Sequence, residues 1–300
     1  MAPMRVVDSD IVMSVNVPIT TWFGVGGRAD RLVKPAHEVE LREALARYSG
    51  DGPVRALGEG ANLLVDDAGV DGLVVSLDRF DAVEFVADDP GLVRAGAGAR
   101  LPQIIIETCR RGLAGIEGLA GIPASLGGAV AMNAGGAFGA IADVVERVQC
   151  VDCSTGETLE RTSSDLAFGY RKCDMKNTIV TRVDLRLRPD DPDEIRARLK
   201  AAMAYKKTSQ PLREKSAGCV FKNPRVDSER VSAGRLIDES GCKGMREGLA
   251  EVSSVHANFI VTHDGAKARD VISLIERVRE RVERERNVTL EQEVVVWKRQ

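Results

Sequence analysis

The 300-residue sequence predicts an α+β fold from three observations. Apolar residues alternate with polar ones at 145–151 and 179–187, which predicts two strands. Near 266–286 the apolar residues recur at helical spacing and predict a long amphipathic helix with one apolar face, formed by Val271, Leu274, Ile275, Val278 and Val282. Between these regions, Pro189 opens a polar turn at which the composition of the chain changes. We therefore place a domain boundary there.

The other elements follow from local periodicity and from glycine and proline stop signals. Before the boundary we predict, in chain order, a helix at 36–49 that stops at Gly50, strands at 54–57 and 72–77, a hairpin formed by 81–87 and 92–95, and a helix from Leu101 to about Gly112. After the boundary we predict a helix that follows the polar turn, a helix at 231–240, the amphipathic helix, and a closing strand at 290–297.

Two loops carry unusually many small residues. Residues 118–139 consist mainly of glycine and alanine and contain no charge, and a second loop, Gly58–Asn62, follows an apolar strand. Glycine inside a helix or strand costs roughly 0.5–1 kcal/mol relative to alanine. Such runs indicate backbone that packs closely against another segment, or backbone amides that face a ligand. The two loops together predict a long ligand with a phosphate part and a flat part.

Composition argues against several classes of function. The net charge of −3 gives no field that would attract nucleic acid or an acidic membrane, and aromatic residues, at 4%, are too few for base stacking. The sequence has no apolar run long enough to span a membrane. The acidic residues interspersed near the N-terminus do not fit a signal peptide.

Two short motifs suggest sites that their surroundings do not support. Cys150 and Cys153 have the C-x-x-C spacing of metal and redox sites, but no second pair or nearby histidine accompanies them. We interpret them as strand cysteines and expect no metal site. The segment 24–29 matches the G-x-G-x-x-A dinucleotide motif, which needs a buried strand before it and a full helix after it. The residues before it are polar and Pro35 follows soon after, so we do not expect a Rossmann fold.

Several longer motifs carry a family resemblance. The loops GEGANLLV at 58–65 and GIPASLGGAVAMNAGG at 121–136 resemble the two flavin-cradling loops of the vanillyl-alcohol-oxidase-type FAD domain. Within that superfamily the chain is similar to the UDP-N-acetylenolpyruvoylglucosamine reductase family, in its shorter class. The further matching motifs are GVGGRAD at 24–30, GYR at 169–171, SAGCVFKNP at 216–224, AGRLIDESGCKGMREG at 233–248 and LEQEV at 290–294. The match covers nearly the whole chain.

The resemblance implies a fold and an activity. The fold is a two-subdomain FAD-binding (PCMH-type) fold plus a C-terminal α+β substrate domain. We assign these parts to residues 1–77 and 78–190 and to 195–288, with a strand at 289–300 that returns to the active site. The implied enzyme is a UDP-N-acetylmuramate dehydrogenase of the bacterial cytoplasm, an oxidoreductase of peptidoglycan synthesis and hence of cell wall biogenesis and cell division. NADPH reduces FAD, and the flavin then passes hydride to the enolpyruvyl double bond of a UDP-sugar.

Three residues match the positions that serve this chemistry in the family: Arg171, Cys219 and Glu293. Hydride delivery to the double bond leaves negative charge on the neighbouring carbon and its carboxylate, so a cation and a proton donor are needed. Arginine can grip a carboxylate with two parallel hydrogen bonds. The family commonly has a serine where this chain has Cys219. A thiol has an unperturbed pKa of ~8.5, so it is mostly protonated at neutral pH and can donate, and its ionisation would lower activity at high pH.

The resemblance also implies binding residues. The loops would hold FAD through Gly58, Glu59, Gly60, Ala61, Asn62, Leu63, Leu64, Ala120, Gly121, Ala124, Ser125, Gly128, Asn133, Ala134 and Gly135. Neither loop contains the histidine or cysteine that relatives with covalent flavin use, so we expect noncovalent FAD. The substrate would contact Tyr170, Asn223, Lys206 and Lys207. The alternative function is an FAD-dependent oxidase of a sugar or alcohol in the same superfamily.

Overall fold

The computed structural model describes residues 11–48, 50 and 52–300. The first ten residues, which bear on the signal-peptide expectation, and residue 49 of the first predicted helix lie outside these ranges. Within them the helices are α1 (Glu38–Arg47), α2 (Leu101–Arg110), α3 (Leu126–Ala131), α4 (Pro192–Ser209), α5 (Ala233–Glu239) and α6 (Ala268–Arg286), with 3₁₀ turns at Glu117–Leu119 and Ile141–Asp143.

The strands are mostly short. In the described ranges they are β1 (Ser14–Pro18), β2 (Arg28–Val33), β3 (Val54–Leu57), β4 (Leu63–Val65), β5 (Val70–Ser76), β6 (Val83–Phe85), β7 (Leu92–Gly96), β8 (Leu113–Ala114), β9 (Gly135–Gly136), β10 (Gly139–Ala140), β11 (Val145–Asp152), β12 (Thr158–Thr162), β13 (Thr178–Arg186), β14 (Arg188–Pro189), β15 (Arg225–Val226), β16 (Glu229–Arg230), β17 (Arg246–Glu247), β18 (Ala250–Val252), β19 (Ile260–Thr262) and β20 (Val295–Trp297). The α+β class is confirmed.

Two sheets form the first part of the fold. One has the order β1-β2-β5-β3, with β1 antiparallel to β2 and the other pairs parallel. The other has the order β12-β11-β13-β7-β6 and is antiparallel throughout, so the predicted hairpin of β6 and β7 is confirmed. The two sheets and their helices share one hydrophobic core. It contains Leu41 of α1 and Val75 of β5 together with Val93 of β7, Ile104 of α2 and Leu185 of β13.

The motif at 24–29 has a packing role in this part of the fold. A strand, β2, follows it where a Rossmann motif would have a helix. A Cβ added at Gly27 would lie 2.4 Å from the Asp66 carbonyl oxygen and 2.5 Å from the Gly69 nitrogen. Glycine is needed there because two backbone segments touch. The expectation that this is not a dinucleotide fingerprint is confirmed.

Helix α4 begins at the polar turn that follows Pro189. The Asp191 carboxylate accepts a hydrogen bond from the Asp193 nitrogen at 2.8 Å, and Pro192 occupies the first turn, as is typical of helix N-termini. Ile195 packs against Cys109 and Ala114, so the start of α4 lies on the side of the fold that contains α2. The domain boundaries derived from the sequence stay a prediction.

The C-terminal part packs α5 and α6 against the sheet β17-β18-β19. The predicted apolar face of α6 is buried, and consists of Val271, Leu274, Ile275, Val278 and Val282. Asp67, which follows β4 in the first part, accepts hydrogen bonds from the Ala268 and Arg269 nitrogens at 2.9 and 3.0 Å. These bonds satisfy free N–H groups at the start of α6 and tie the two parts of the chain together.

The prediction of a single closing strand at 290–297 is wrong in extent. Only β20 is a strand, and it runs parallel to β4. Before it, the Lys222 nitrogen donates to the Glu291 carbonyl at 2.8 Å, and the Glu293 nitrogen donates to the Val220 carbonyl at 2.7 Å. The segment changes its pairing partner near Glu293, from the segment around Val220 in the C-terminal part to β4 in the first part. This change interrupts the strand.

Candidate active site

The two glycine-rich loops meet in space. Gly58 follows β3, and a Cβ added to it would lie 2.2 Å from the Ser125 Oγ of the other loop. Gly60 has a φ of +65°, and an added Cβ would lie 2.6 Å from the Thr20 carbonyl oxygen. A side chain at either position would therefore separate segments that now touch. The sequence-based expectation that these glycines allow close backbone approach is confirmed.

Other glycines of the second loop face open space. A Cβ at Gly128 would meet only the Ser125 Oγ, at 3.1 Å, and a Cβ at Gly136 would meet nothing within 4 Å. Ser125 caps α3, because its Oγ accepts a hydrogen bond from the Gly128 nitrogen at 3.3 Å. At these two positions the backbone of the second loop is therefore not packed closely against another segment.

Not every predicted loop residue can offer a side chain to a ligand. Leu63 and Leu64 lie in β4, and their side chains are buried in two hydrophobic cores. Glu59 forms an ion pair with Arg100, with the Nε and Oε1 atoms 3.2 Å apart. Of these three residues, only Glu59 keeps its side chain outside the hydrophobic cores.

Two loop asparagines hold the segments that carry the predicted reactive residues. The Asn62 Nδ2 donates to the Glu293 carbonyl oxygen at 3.1 Å. The Asn133 Nδ2 donates to the Gly169 carbonyl oxygen at 2.9 Å, two residues before Arg171. The sequence suggested these asparagines only as flavin contacts. Their bonds link each loop to the backbone of a segment that carries one of the predicted reactive residues, a connection that no local sequence signal reveals.

Arg171 and Glu293 form a largely buried ion pair. The Arg171 Nε lies 2.8 Å from the Glu293 Oε1, and the two side chains are 20% and 13% exposed. Arg171 sits in a turn in which Gly169 and Lys172 exchange backbone hydrogen bonds, and it has a left-handed φ of 57°. Residues 122 positions apart are thus brought into contact by the returning C-terminal segment.

Cys219 lies beside this pair. It precedes Val220, whose carbonyl accepts a hydrogen bond from the Glu293 backbone N–H. Its backbone forms an isolated antiparallel β-bridge with Phe259. Burial and the neighbouring Glu293 carboxylate raise the pKa of the Cys219 thiol to about 12. Burial also raises the pKa of Glu293, although Arg171 and Lys222 counteract it. The thiol is therefore protonated at neutral pH and lies next to a carboxylate and a guanidinium.

Tyr170 and Asn223 lie together at the edge of this cluster. The Asn223 nitrogen donates to the Tyr170 hydroxyl at 3.3 Å, and the Asn223 Oδ1 accepts from the Ala233 nitrogen at 2.9 Å. Arg230 lies over the Tyr170 ring, with its Cζ 3.5 Å from the centroid. Arg230 was not predicted from the sequence, because its contact depends on the β15–β16 hairpin.

The two predicted lysines have different environments. Lys207 is exposed, whereas Lys206 is buried and its Nζ donates to the Ala120 carbonyl oxygen at 2.7 Å. Burial, with a smaller contribution from Arg171, lowers the pKa of Lys206 to about 8. Lys206 thus contacts the second loop and lies near enough to Arg171 to be repelled by it.

The remaining cysteines and histidines do not form a metal site in the described residues. No group of three or more potential ligands is found there. All six cysteines are free, and burial raises the pKa of Cys153 to about 11. No helix among the described residues has the length and apolarity needed to cross a membrane.

Both parts of the chain match known protein families. Residues 29–162 match the family described as FAD binding domain, and residues 210–297 match the family described as UDP-N-acetylenolpyruvoylglucosamine reductase, C-terminal domain. A UDP-N-acetylenolpyruvoylglucosamine reductase from Thermus thermophilus is 45% identical over 279 residues, which is 92% of this chain and 96% of that protein. One from Geobacter metallireducens is 41% identical over 276 residues, or 91% of this chain and 89% of that protein. A crystal structure of the reductase from Thermus caldophilus superposes with a TM-score of 0.81 at 40% identity, covering 96% of this chain and 99% of the other.

Proposed function

The chain belongs to the UDP-N-acetylenolpyruvoylglucosamine reductase family, and from this premise we propose that it makes UDP-N-acetylmuramate. It reduces the enolpyruvyl group of UDP-N-acetylglucosamine enolpyruvate with NADPH and FAD, in peptidoglycan precursor synthesis. We place this step in the bacterial cytoplasm, because its co-substrates are soluble nucleotides. The family membership that the sequence motifs predict is confirmed, and the oxidase alternative has weaker support.

One observation carries the proposal: a guanidinium, a thiol and a carboxylate from three distant segments lie together where the glycine-rich loops are anchored. Arg171 pairs with Glu293 at 2.8 Å, and Cys219 lies beside them with its thiol protonated. Asn62 and Asn133 connect this cluster to the two loops. The arrangement supplies the cation and the proton donor that reduction of an enolpyruvyl group requires.

The loops fit an FAD cofactor. Gly58 leaves no room for a side chain against Ser125, whereas Gly128 and Gly136 leave open space at the backbone. The backbone of Gly58–Asn62 would hold the pyrophosphate, and the second loop would hold the other side of the cofactor. When bound, FAD would supply the hydride transfer from NADPH to the enolpyruvyl double bond.

The protein's own residues handle the charge and the proton. The Arg171 guanidinium holds the substrate carboxylate and stabilises the negative charge that spreads onto it when hydride reaches the double bond. Glu293 orients Arg171 through their ion pair. The Cys219 thiol donates its proton to the carbon that carries the charge, and the resulting thiolate is reprotonated before the next turnover. Tyr170, Asn223 and Lys207 would contact the nucleotide part of the substrate.

Stopped-flow traces of the two half-reactions test this function. NADPH should bleach the bound flavin, and the enolpyruvyl UDP-sugar should restore its absorbance with one substrate consumed per flavin. UDP-N-acetylglucosamine, which lacks the double bond, is the matched control and should leave the flavin reduced under anaerobic conditions. Oxygen-dependent turnover of a sugar or alcohol, without reoxidation by the enolpyruvyl compound, would instead support the oxidase.

Gly58→Ala should lower the FAD content of the purified protein several-fold. The added methyl would lie 2.2 Å from the Ser125 Oγ and would push the two loops apart. Gly156→Ala, in the turn between β11 and β12 and outside both loops, is the control: its Cβ also meets nothing within 4 Å, and its φ of +72° tests for a general cost of replacing glycine. The readout is flavin in the supernatant after acid precipitation. Full FAD content in Gly58→Ala would contradict the loop assignment, and flavin that stays in the pellet would contradict noncovalent binding.

A further inference from the structure

Lys206 is a buried cation for which no carboxylate partner is found among the described residues. Its side chain extends from α4 and is 8% exposed. The Nζ donates one hydrogen bond, to the Ala120 carbonyl oxygen at 2.7 Å, which leaves two of its three donors without a described acceptor. Burying an ammonium without a counter-charge is costly, so such a group is retained where a negative charge is expected to approach it.

The neighbouring charges do not neutralise Lys206. The charged group that acts on it is Arg171, which repels it, and Arg171 is already paired with Glu293. At pH 7, below the Lys206 pKa of about 8, two cations and one carboxylate leave one net positive charge in this cluster. That charge lies against the second loop, since the Lys206 Cδ would be 3.1 Å from a Cβ added at Gly121.

We propose that Lys206 stabilises the negative charge that the flavin ring acquires when NADPH reduces it. This inference rests on the proposed function. NADPH transfers a hydride, which is two electrons and one proton, and becomes NADP⁺. The ring therefore gains one negative charge unless it takes up a further proton. Lys206 keeps its own proton and lowers the energy of that charge, as a cation near the flavin ring tunes its electronics.

The contacts favour the flavin over a substrate phosphate as the partner of Lys206. Its one acceptor, Ala120, belongs to the predicted flavin loop, and its stem packs on that loop at Gly121. Lys207, the next residue, is exposed and suits a phosphate that approaches from solvent. Lys206 is thus a positioning and charge-stabilising residue of the flavin side of the cleft.

The test is the midpoint potential of the bound FAD in the holoenzyme. Lys206→Met should shift the potential to more negative values, which corresponds to at least a tenfold loss in the affinity for reduced over oxidised FAD. Lys206→Arg should restore most of the shift, because it keeps the charge. Lys200→Met, an exposed lysine on the same helix, should not change it.

One result would overturn the inference: a potential in Lys206→Met equal to that of the wild type. If it comes with a tenfold loss of affinity for UDP, Lys206 is a phosphate contact. If it comes with an equal loss of affinity for both redox states of FAD, Lys206 binds the cofactor without regard to its charge. If Lys206→Met does not retain FAD, Lys206→Gln keeps a donor for Ala120 and gives the same comparison. A wild-type protein that binds no FAD would overturn the proposed function itself.

Discussion

Replacing Arg171 with methionine is expected to slow reoxidation of the flavin by the enolpyruvyl substrate ~10²–10³-fold, the range typical of losing one charge-stabilising donor. Reduction by NADPH should remain nearly intact, because no carboxylate charge develops in that step. Arg171→Lys should recover only part of the rate, since an ammonium keeps the charge but lacks the planar fork that grips a carboxylate. Stopped-flow measurement of each half-reaction separates the two effects.

The same substitution should destabilise the protein in a pH-dependent way. It leaves Glu293 as a buried carboxylate without its partner, and burial already raises the pKa of this group. A folded-state pKa above the unfolded one means that stability falls as pH rises from the unfolded value toward the folded value. Arg171→Met should therefore unfold more readily at pH 8 than at pH 5.

The double variant Arg171→Met with Glu293→Gln is the matched control. It removes the unpaired carboxylate, so it should regain stability and lose the pH dependence without regaining activity. If Arg171→Met reoxidises at the wild-type rate, Arg171 does not hold the substrate carboxylate. If the double variant is no more stable than the single one, the 2.8 Å pair does not carry the electrostatic coupling that its geometry indicates.

Local patterns in the sequence predict much of the fold. The buried face of α6 was predicted residue by residue from helical spacing, because the apolar face of an amphipathic helix is the face that packs against the core. The close approach at Gly58 was predicted from composition alone, since glycine in such a run signals contact with another segment. The motifs with their order along the chain identify the family, and 45% identity to a relative confirms it.

Long-range contacts account for what the sequence does not predict. The closing strand was predicted as one ladder, but residues 290–294 pair with the segment around Val220 and only β20 joins β4. Lys206 is one of two lysines near the end of a polar helix, and such lysines are usually exposed. Its burial depends on where the second loop packs. The bonds from Asn62 and Asn133 to the reactive segments also depend on tertiary structure.

Replacing Cys219 with alanine is expected to leave flavin reduction by NADPH nearly unchanged and to slow the second half-reaction ~10²–10⁴-fold, the range for loss of a general acid. Cys219→Ser should lie between the two or match the wild type, because the hydroxyl occupies the same place. Cys242→Ala is the control: that thiol is buried in the C-terminal part away from the Arg171–Glu293 pair, and its removal should cost only about 1 kcal/mol of stability. An alanine variant at position 219 that reoxidises at wild-type speed would end the proton-donor assignment.

The environment of Cys219 also changes the pH dependence that the sequence alone predicts. An ordinary thiol pKa would give a loss of activity above ~8.5, as the donor ionises. Burial and Glu293 raise the pKa of this thiol to about 12, so it stays protonated throughout the range in which the enzyme can be assayed. The rate of the second half-reaction should therefore depend on pH in the same way in the wild type and in Cys219→Ser, with no loss at high pH that is specific to the thiol. If the wild type shows such a loss near pH 8.5 and the serine variant does not, the thiol ionises freely and Glu293 does not suppress its ionisation.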